Sequence, residues 1–533
     1  MAAHSQNPSD DVLPPAGKDP KTAGGGAWMA LVAALLGWLF DGAEMGVFSM
    51  VGRAAVQDML GFGLTPTPEQ EQQIGFYFGI IIAVFLVGAA TGGVVFGWLG
   101  DRVGRVRAMS LSVLTYAVFT GLCGIAQTPL QLGILRFIAS LGMGGEWALG
   151  VALVMEVWPN KSRAFMAGLI GAAANVGYML VGFIGMGLGE ILHHFETWLP
   201  TLGLGPDMVQ SLVAFKGWRL LMIMGTLPAV LTFFFRIFVP ESHKWEEEKA
   251  KGGTSNWATV DLLGVILGAM GPGLIVYVWG TPSYSQSTRV VGTLIGVVVA
   301  VVGYTYPVYR YLQRTIEAHQ PGVATPWPTV RKMMLGALLS GVALLGTWGS
   351  TQWAPTWAGQ LTQGTDASYP REWTQIYLAI GAIIGTIVAA ICGGRFGRRI
   401  TYFVMCILSM LTAVYFFQSH KEYGTSFLVW SLLAGMTTAS FYGWLPLYLP
   451  ELFATRVRAT GQGFAFNFGR IIAAIGNLQM SALLSTEFIK TQQTAAGITG
   501  GYPVICSFVS AIYVFGMIII WFAPETKGRP LPE

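Results

Sequence analysis

The 533-residue chain is 53% hydrophobic and only 11% charged, with a mean hydropathy of +0.56 and a formal net charge of +4. These values exclude an ordinary soluble domain and a disordered chain, and they place the sequence among polytopic membrane proteins. Four cysteines without paired spacing and six histidines outside the apolar runs exclude a disulfide framework, an intramembrane metal cluster and a histidine proton relay, so any proton chemistry falls to carboxylates.

Residues 1–27 are polar, carry Pro14, Pro15 and Gly24 to Gly26, and lack the basic start and cleavage site of a signal peptide, so they read as a flexible cytoplasmic tail. Fourteen apolar runs follow, starting near Trp28, Ile74, Ala108, Leu130, Phe165, Trp218, Val260, Val290, Met333, Ile376, Thr401, Phe427, Gly461 and Val504. Lipid cannot satisfy backbone groups, so runs of about 20 residues must be helices, and an all-α polytopic protein is expected. Residues 28–239 hold the first six runs and residues 333–523 the last six. Between them, residues 240–332 form a linker in which Trp245 to Gly253, with Glu246, Glu247 and Glu248, reads as a solvated loop, followed by an inserted helical pair from Val260 to Leu312. Residues 524–533 read as a second tail. With the N-terminus in the cytoplasm, most Lys and Arg fall on that side, including Arg102, Arg105, Arg107, Lys161, Arg163, Arg395 to Arg399, Arg456 and Arg458. Both termini are then cytoplasmic.

The loop Gly97-Trp98-Leu99-Gly100-Asp101-Arg102-Val103-Gly104-Arg105-Val106-Arg107 has a second copy at Gly393-Gly394-Arg395-Phe396-Gly397-Arg398-Arg399, 293 positions on from Gly104 to Gly397. Glu156, Arg163, Ala164 and Gly168 recur as Glu451, Arg458, Ala459 and Gly463 at an offset of 295. Two matches at nearly one offset indicate duplicated halves. Gly394 stands where Asp101 does, so the second copy keeps the basic cluster without the acid.

Charges inside apolar runs need a partner, water or a proton. Asp41 and Glu44 lie three apart on one face of span one, which suits either a proton-accepting pair or an ion pair with Arg136. Arg136 and Glu146 lie ten apart on span four; Arg136 must meet an acid or an anion, and Glu146 follows Gly142, Gly144 and Gly145 as either a coupling acid or a polar packing group. Arg470, two turns inside span thirteen and near Asn467, can hold a carboxylate through two parallel hydrogen bonds or pair with an acid of the other lobe. Trp348 and Gln352 share a face of span nine and could line a cavity, whereas Trp353 and Trp357 fit an interfacial aromatic belt. Asn175, Tyr178, Tyr442, Trp444, Asn477 and Gln479 are further candidate lining residues. Asp101, Arg102, Arg105, Glu156 and Arg163, with Arg398, Glu451 and Arg458, can form ion-pair networks that hold in one conformation and break in another, or serve only topology.

These motifs resemble the major facilitator superfamily over both halves, excluding the tail and the inserted pair. Gly97 to Arg107 is similar to its cytoplasmic loop motif, and Arg136 to Glu146 to its fourth-span arginine and glycine motif. Pro240-Glu241-Ser242, Pro450 to Gly461 and Pro524-Glu525-Thr526-Lys527-Gly528 resemble the sugar-porter, metabolite:proton and aromatic-acid:proton symporter branches. The resemblance implies two six-helix lobes around a central cavity and a gate at the loop charges; the inserted pair, which brings the count to fourteen spans, departs from the family pattern. It further implies proton coupling at the span-one acids and Arg136, and anion binding at Arg470. The expected function is a secondary active transporter, a proton-coupled symporter of a small organic anion, with a neutral-sugar carrier, a metabolite exporter or a nutrient receptor as alternatives. An enzyme is excluded for want of a nucleophile or histidine–carboxylate cluster. No cofactor beyond the coupling proton is expected, and the partners are a small-molecule substrate and membrane lipid, not nucleic acid. A monomer in the inner plasma membrane is the expected form.

Overall fold

The computed structural model describes residues 24–281, 283–318, 325–484, 491 and 501–533, so the N-terminal tail lies outside the described residues as far as residue 23. No β-strand occurs among them. The first lobe runs through α1 (Gly25–Met59), α2 (Pro68–Val103), α3 (Arg105–Cys123), α4 (Pro129–Val157) and α5 (Asn160–Met186). Outside the bundle, α6 (Leu188–Trp198) leads to α7 (Pro206–Met224), bent at Ala214–Gly217, and α8 (Val230–Phe238) ends the sixth span. Trp218 Nε1 and Arg219 Nη2 both donate to Asp58 Oδ2, at 3.0 and 3.2 Å, which pins the start of that span to the end of α1.

Helices begin before the apolar runs do. α2 starts six residues ahead of Ile74 because Thr67 and Gln70 form a capping box and Pro68 occupies the first turn. A cap satisfies the orphan N–H groups wherever it falls, irrespective of hydropathy.

The acidic stretch after the first lobe is not a solvated loop. It is a short helix, α9 (His243–Ala250), with Lys244, Trp245 and Glu248 buried against the bundle, and Trp245 Nε1 donates to Asp101 O at 3.0 Å. Glu246 and Glu247 sit on the outer face while the indole supplies the packing.

The inserted pair is α10 (Leu262–Trp279) and α11 (Gln286–Glu317). Gly264, Gly268 and Gly271 face Gly296 and Gly303, and a Cβ on Gly303 would overlap the backbone of Gly268, so the helices meet at backbone distance. The pair lies on α2 of the first lobe and on α18 (Arg458–Leu484) of the second. Tyr304 OH and Thr91 Oγ1 share a buried hydrogen bond of 2.7 Å that ties α11 to α2. Thr91 also donates to Val87 O at 2.9 Å, so Tyr304→Phe leaves no orphan behind. The expected cost is about 1 kcal/mol, read as a modestly lower thermal midpoint in detergent; an unchanged midpoint would show that this bond anchors nothing.

In the second lobe α12 (Trp327–Trp348) breaks at Gly349–Trp353 before α13 (Ala354–Leu361), and α14 (Pro370–Phe396) and α15 (Arg398–Ser419) follow. α16 (Thr425–Thr438) breaks at Ala439–Ser440 before α17 (Phe441–Tyr448); after α18 come α19 (Tyr502–Val509) and α20 (Ile512–Ile519). Twelve described stretches are long and apolar enough to cross a membrane. The broken α16–α17 and α18 pack among them, which accounts for the fourteen spans expected.

The sequence repeat is also a structural one. Gly104 (φ +117°) and Gly397 (φ +104°) take the same backbone conformation, one that side-chain-bearing residues rarely adopt. Glu241 accepts from Arg105 N at 2.8 Å, and Glu525 accepts from Arg398 N and Arg399 N at 3.0 and 3.1 Å. Burial pushes the Glu241 carboxyl above the usual carboxylate range. At Glu525 the backbone donors outweigh burial and hold it below that range.

Candidate functional site

A cavity of about 150 Å³, room for one small solute, lies between the lobes. Its first-lobe wall comes from α1, α4 and α5. Gly42 meets the backbone of Ala174, and Gly177 meets that of Leu39, so α1 and α5 touch without intervening side chains and Asp41 is held at the wall. Asp41 and Arg470 are the charged residues on the lining. Both are buried, and Asp41 Oδ1 and Arg470 Nη1 have no hydrogen-bond partner. Arg470 faces Asp41 and Tyr442, and its guanidinium lies 5.6 Å from the Phe466 ring centre.

Behind Asp41 stands Glu146. Gly144 and Gly145 bring α4 against Ala89 and Phe96 of α2, and the Glu146 carboxyl reaches α1 at Gly37, one turn before Asp41. The two carboxyls lie within hydrogen-bonding reach of each other. Neither Glu146 oxygen meets a donor, so only a proton on one acid would let the two bond.

Glu44 and Arg136 form a separate site. Arg136 Nη1 donates to Glu44 Oε1, and its guanidinium lies between the rings of Phe48 and Phe85 at 4.1 and 4.3 Å. Neither residue lines the cavity.

The rest of the described wall is uncharged and largely apolar, with a few polar groups. Gln352 Nε2 donates to Tyr178 OH at 3.1 Å, joining the break after α12 to α5, and Thr351 Oγ1 and Thr438 Oγ1 share a bond of 3.1 Å. At the end of the cavity nearer the two glycine–arginine loops, Phe466 of α18 stacks on Trp147 of α4 at 3.8 Å with rings 8° from parallel.

Beyond that stack the lobes are locked together. Asp101 accepts from Ala459 N (3.1 Å), Thr460 N (2.9 Å) and Thr460 Oγ1 (2.6 Å), so an α2 carboxylate occupies the N-terminus of α18, where unpaired N–H groups and the helix dipole favour an anion. Arg105 donates to Asp101 (2.6 Å), to Glu156 (3.1 Å) and to Thr455 O (2.7 Å). Arg458 reaches back to Glu156 at 2.8 Å and to Pro532 O at 2.5 Å. In the second lobe Arg398 pairs with Glu451, which also accepts from Thr526 Oγ1 at 2.6 Å, and those bonds stay within that lobe. The lock is therefore one-sided.

Residues 29–260 match the family model for sugar (and other) transporters, and residues 247–477 match that of the Major Facilitator Superfamily. The chain belongs to the major facilitator superfamily. It is 24% identical to the cis,cis-muconate transport protein of Acinetobacter baylyi over 91% of this chain and 94% of that one. To the niacin transporter NiaP of the same organism it is 23% identical over 93% of each. Among solved structures, the fold is similar to the proton:xylose symporter XylE of E. coli bound to 6-bromo-6-deoxy-D-glucose, with a TM-score of 0.62 at 15% identity, covering 95% of this chain and 97% of that one. This facilitator is a multi-pass membrane transporter and not an enzyme.

In the facilitator frame, Asp41, Arg470, Trp348, Gln352, Asn175 and Tyr178 share the cavity. Glu44 and Arg136 do not, and the span-one acids serve two separate sites. Asn467 is off the cavity as well: its Nδ2 donates to Gly144 O and Gly463 O at 3.0 Å, inside the seam between α4 and α18. Trp357 is no interfacial belt residue, being fully buried among Phe416, Phe417 and Phe427. Trp444 is buried too and donates to Arg398 O at 3.2 Å. The side chains of Asn477 and Gln479 lie outside the described residues.

Of the loop charges, Asp101, Arg105, Glu156 and Arg458 form the lock. Arg398 and Glu451 form the intralobe pair. Arg102 instead donates to Thr259 Oγ1 at 2.6 Å, just ahead of α10, and Arg163 donates to Asn160 Oδ1 at 2.8 Å within α5. Residues that sequence reasoning passed over include Trp38, Thr347, Thr351, Thr438 and Phe466, all on the lining. Phe466 and Trp38 carried a signal, each about one turn before a candidate charge, Arg470 or Asp41, on the same helix.

Asp101→Ala is expected to open the locked end. It removes an anion from a helix N-terminus and from Arg105, at about 1.5–3 kcal/mol for a hydrogen bond to a charged group. That is roughly a tenfold or larger shift in population. Spin labels on exposed Arg107 and Lys527 would report it as a longer interlobe distance; an unchanged distribution would make the lock static.

Proposed function

We propose that the protein is a proton-coupled symporter of a small organic anion, working by alternating access, with the locked end and both termini facing the cytoplasm. One observation carries this reading: a buried arginine with an unpartnered Nη1 on the wall of a small cavity, facing a carboxyl group. An arginine cannot shed its charge there, so it holds an anion, and a planar guanidinium suits a carboxylate. Asp41 supplies the proton site. With the cavity empty, Arg470 neutralises Asp41; a bound carboxylate takes Arg470, and Asp41 then holds a proton. The muconate and niacin named for the two relatives are both carboxylic acids, which supports the same class.

Breaking the lock at Asp101 and Glu156 and parting the Phe466–Trp147 stack would open the cavity to the cytoplasm. The Tyr178–Gln352 bond spans the lobes on the other side of the site. Differential contacts of this kind are what allow a ligand to shift a two-state equilibrium.

The test is uptake by proteoliposomes under an inward proton gradient, with labelled benzoate, nicotinate, gluconate, cis,cis-muconate and glucose. Gradient-driven uptake of a carboxylate is the expected result. Uptake of glucose alone, indifferent to the gradient, would replace this reading with a neutral-sugar carrier.

A further inference from the structure

We infer that the charges built into the cavity make transport electroneutral, one monoanion moving with one proton, and that they reject dianions. The inference rests on the anion-symport reading and adds its stoichiometry and the charge of its substrate.

The argument is a count of charges. An uncompensated charge at membrane depth costs several kcal/mol, so a site closed on both sides must be close to neutral. Among the described residues, the lining offers one cation, Arg470, and one acid, Asp41, with Glu146 packed behind it. Arg136 does not enter the count, because Glu44 already neutralises it. The other titratable groups facing the acids and Arg470 are phenols that stay neutral: Tyr116 from α3, Tyr178 from α5 and Tyr442 from α17.

With one cation and two neighbouring carboxyls, the empty site is neutral only if one acid is protonated. Glu146 is the more deeply buried of the two, away from the cavity and with no donor on either oxygen, and a proton on it can be donated to Asp41. The empty site is thus Arg470 positive, Asp41 negative and Glu146 neutral. When a monocarboxylate takes Arg470, neutrality requires a proton on Asp41 as well. On release the anion leaves, Asp41 gives its proton to water and returns to Arg470, and Glu146 keeps its own. One anion and one proton have crossed, and no net charge has moved.

A dianion would leave one negative charge in the closed cavity, because the rest of the wall is uncharged. Asn175, Gln352, Thr351 and Thr438 can bond a neutral polar group but cannot balance a second carboxylate.

The experiment uses the full chain in proteoliposomes at neutral pH, with protein-free liposomes as the control, labelled gluconate as a monoanion whose acid form does not cross a bilayer unaided, and cis,cis-muconate as the dianion. A pH gradient of about one unit is held while potassium and valinomycin set the voltage at zero or at about −100 mV inside. The expected result is gluconate accumulation of about tenfold, equal at both voltages and absent from protein-free liposomes, with muconate neither accumulated nor competing. Accumulation that rises with the inside-negative voltage would overturn the one-proton count while leaving symport in place. Accumulation of muconate in preference to gluconate would overturn the monoanion restriction. If neither acid follows the proton gradient, the symport reading itself falls, and this inference with it.

Discussion

Arg470→Gln is expected to weaken uptake of the carboxylate substrate by at least about 30-fold, through the half-saturation concentration more than the maximal rate. Truncating one partner of a buried charge pair costs about 2–5 kcal/mol, and 2 kcal/mol is roughly 30-fold in affinity. Glutamine keeps the length and one donor but not the charge. Arg470→Lys is expected to recover little, because an ammonium cannot present two parallel donors to a carboxylate. The side chain lies on a cavity wall with Nη1 unpartnered, so no hydrogen bond from that nitrogen is lost with it. Proteoliposome uptake titrated with substrate reads the effect. An unchanged half-saturation concentration would remove Arg470 from the substrate site and favour a neutral solute.

Asp41→Asn should separate two activities that the native protein links. Net uptake driven by a proton gradient is expected to fall at least about tenfold, because the empty site would hold Arg470 without a counter-charge and could not close across the bilayer. Exchange is expected to survive, since the loaded site of the variant is neutral: an asparagine stands where a protonated aspartate would. Liposomes preloaded with unlabelled substrate and given labelled substrate outside measure exchange alone. Intact accumulation in the gradient assay would place the coupling proton elsewhere, with Glu146 the remaining acid of the pair. Loss of both activities would indicate that Asp41 holds the cavity together rather than carrying a proton.

Much of the architecture was legible in the sequence because hydropathy and the distribution of basic residues are properties of whole segments. The fourteen spans and the inserted pair follow from such patterns, and the duplicated halves from motif residues that recur at nearly one offset. Within the site, legibility depended on whether a residue's partner could be named. Asp41 and Glu44 look equivalent at three-residue spacing, yet that spacing turns a helix by about 60° from a full circle, enough to send one acid toward Glu146 and the other toward Arg136. Asn467 and Arg470 also lie three apart on a glycine-rich helix. One enters the α4 seam and the other the cavity, and small residues line both places. The break that separates α16 from α17 falls among serine and threonine residues with no proline to announce it. The docking of α9 depended on Trp245, whose burial the three neighbouring glutamates concealed.

The missing acid at Gly394 leaves the lock with partners that are far apart in time of synthesis. Asp101 and Glu156 emerge early, whereas Ala459, Thr460, Arg458 and Pro532 come from the last quarter of the chain. Until α18 arrives, the glycine face of α2 at Gly93 and Gly97 lacks the backbone of Gly463 and Ala459 that later covers it. A ribosome-bound first lobe therefore holds a polar, small-residue groove open to the bilayer during translation. Chains that stop before α18 would carry that groove permanently, with no helix N-terminus for Asp101 to cap.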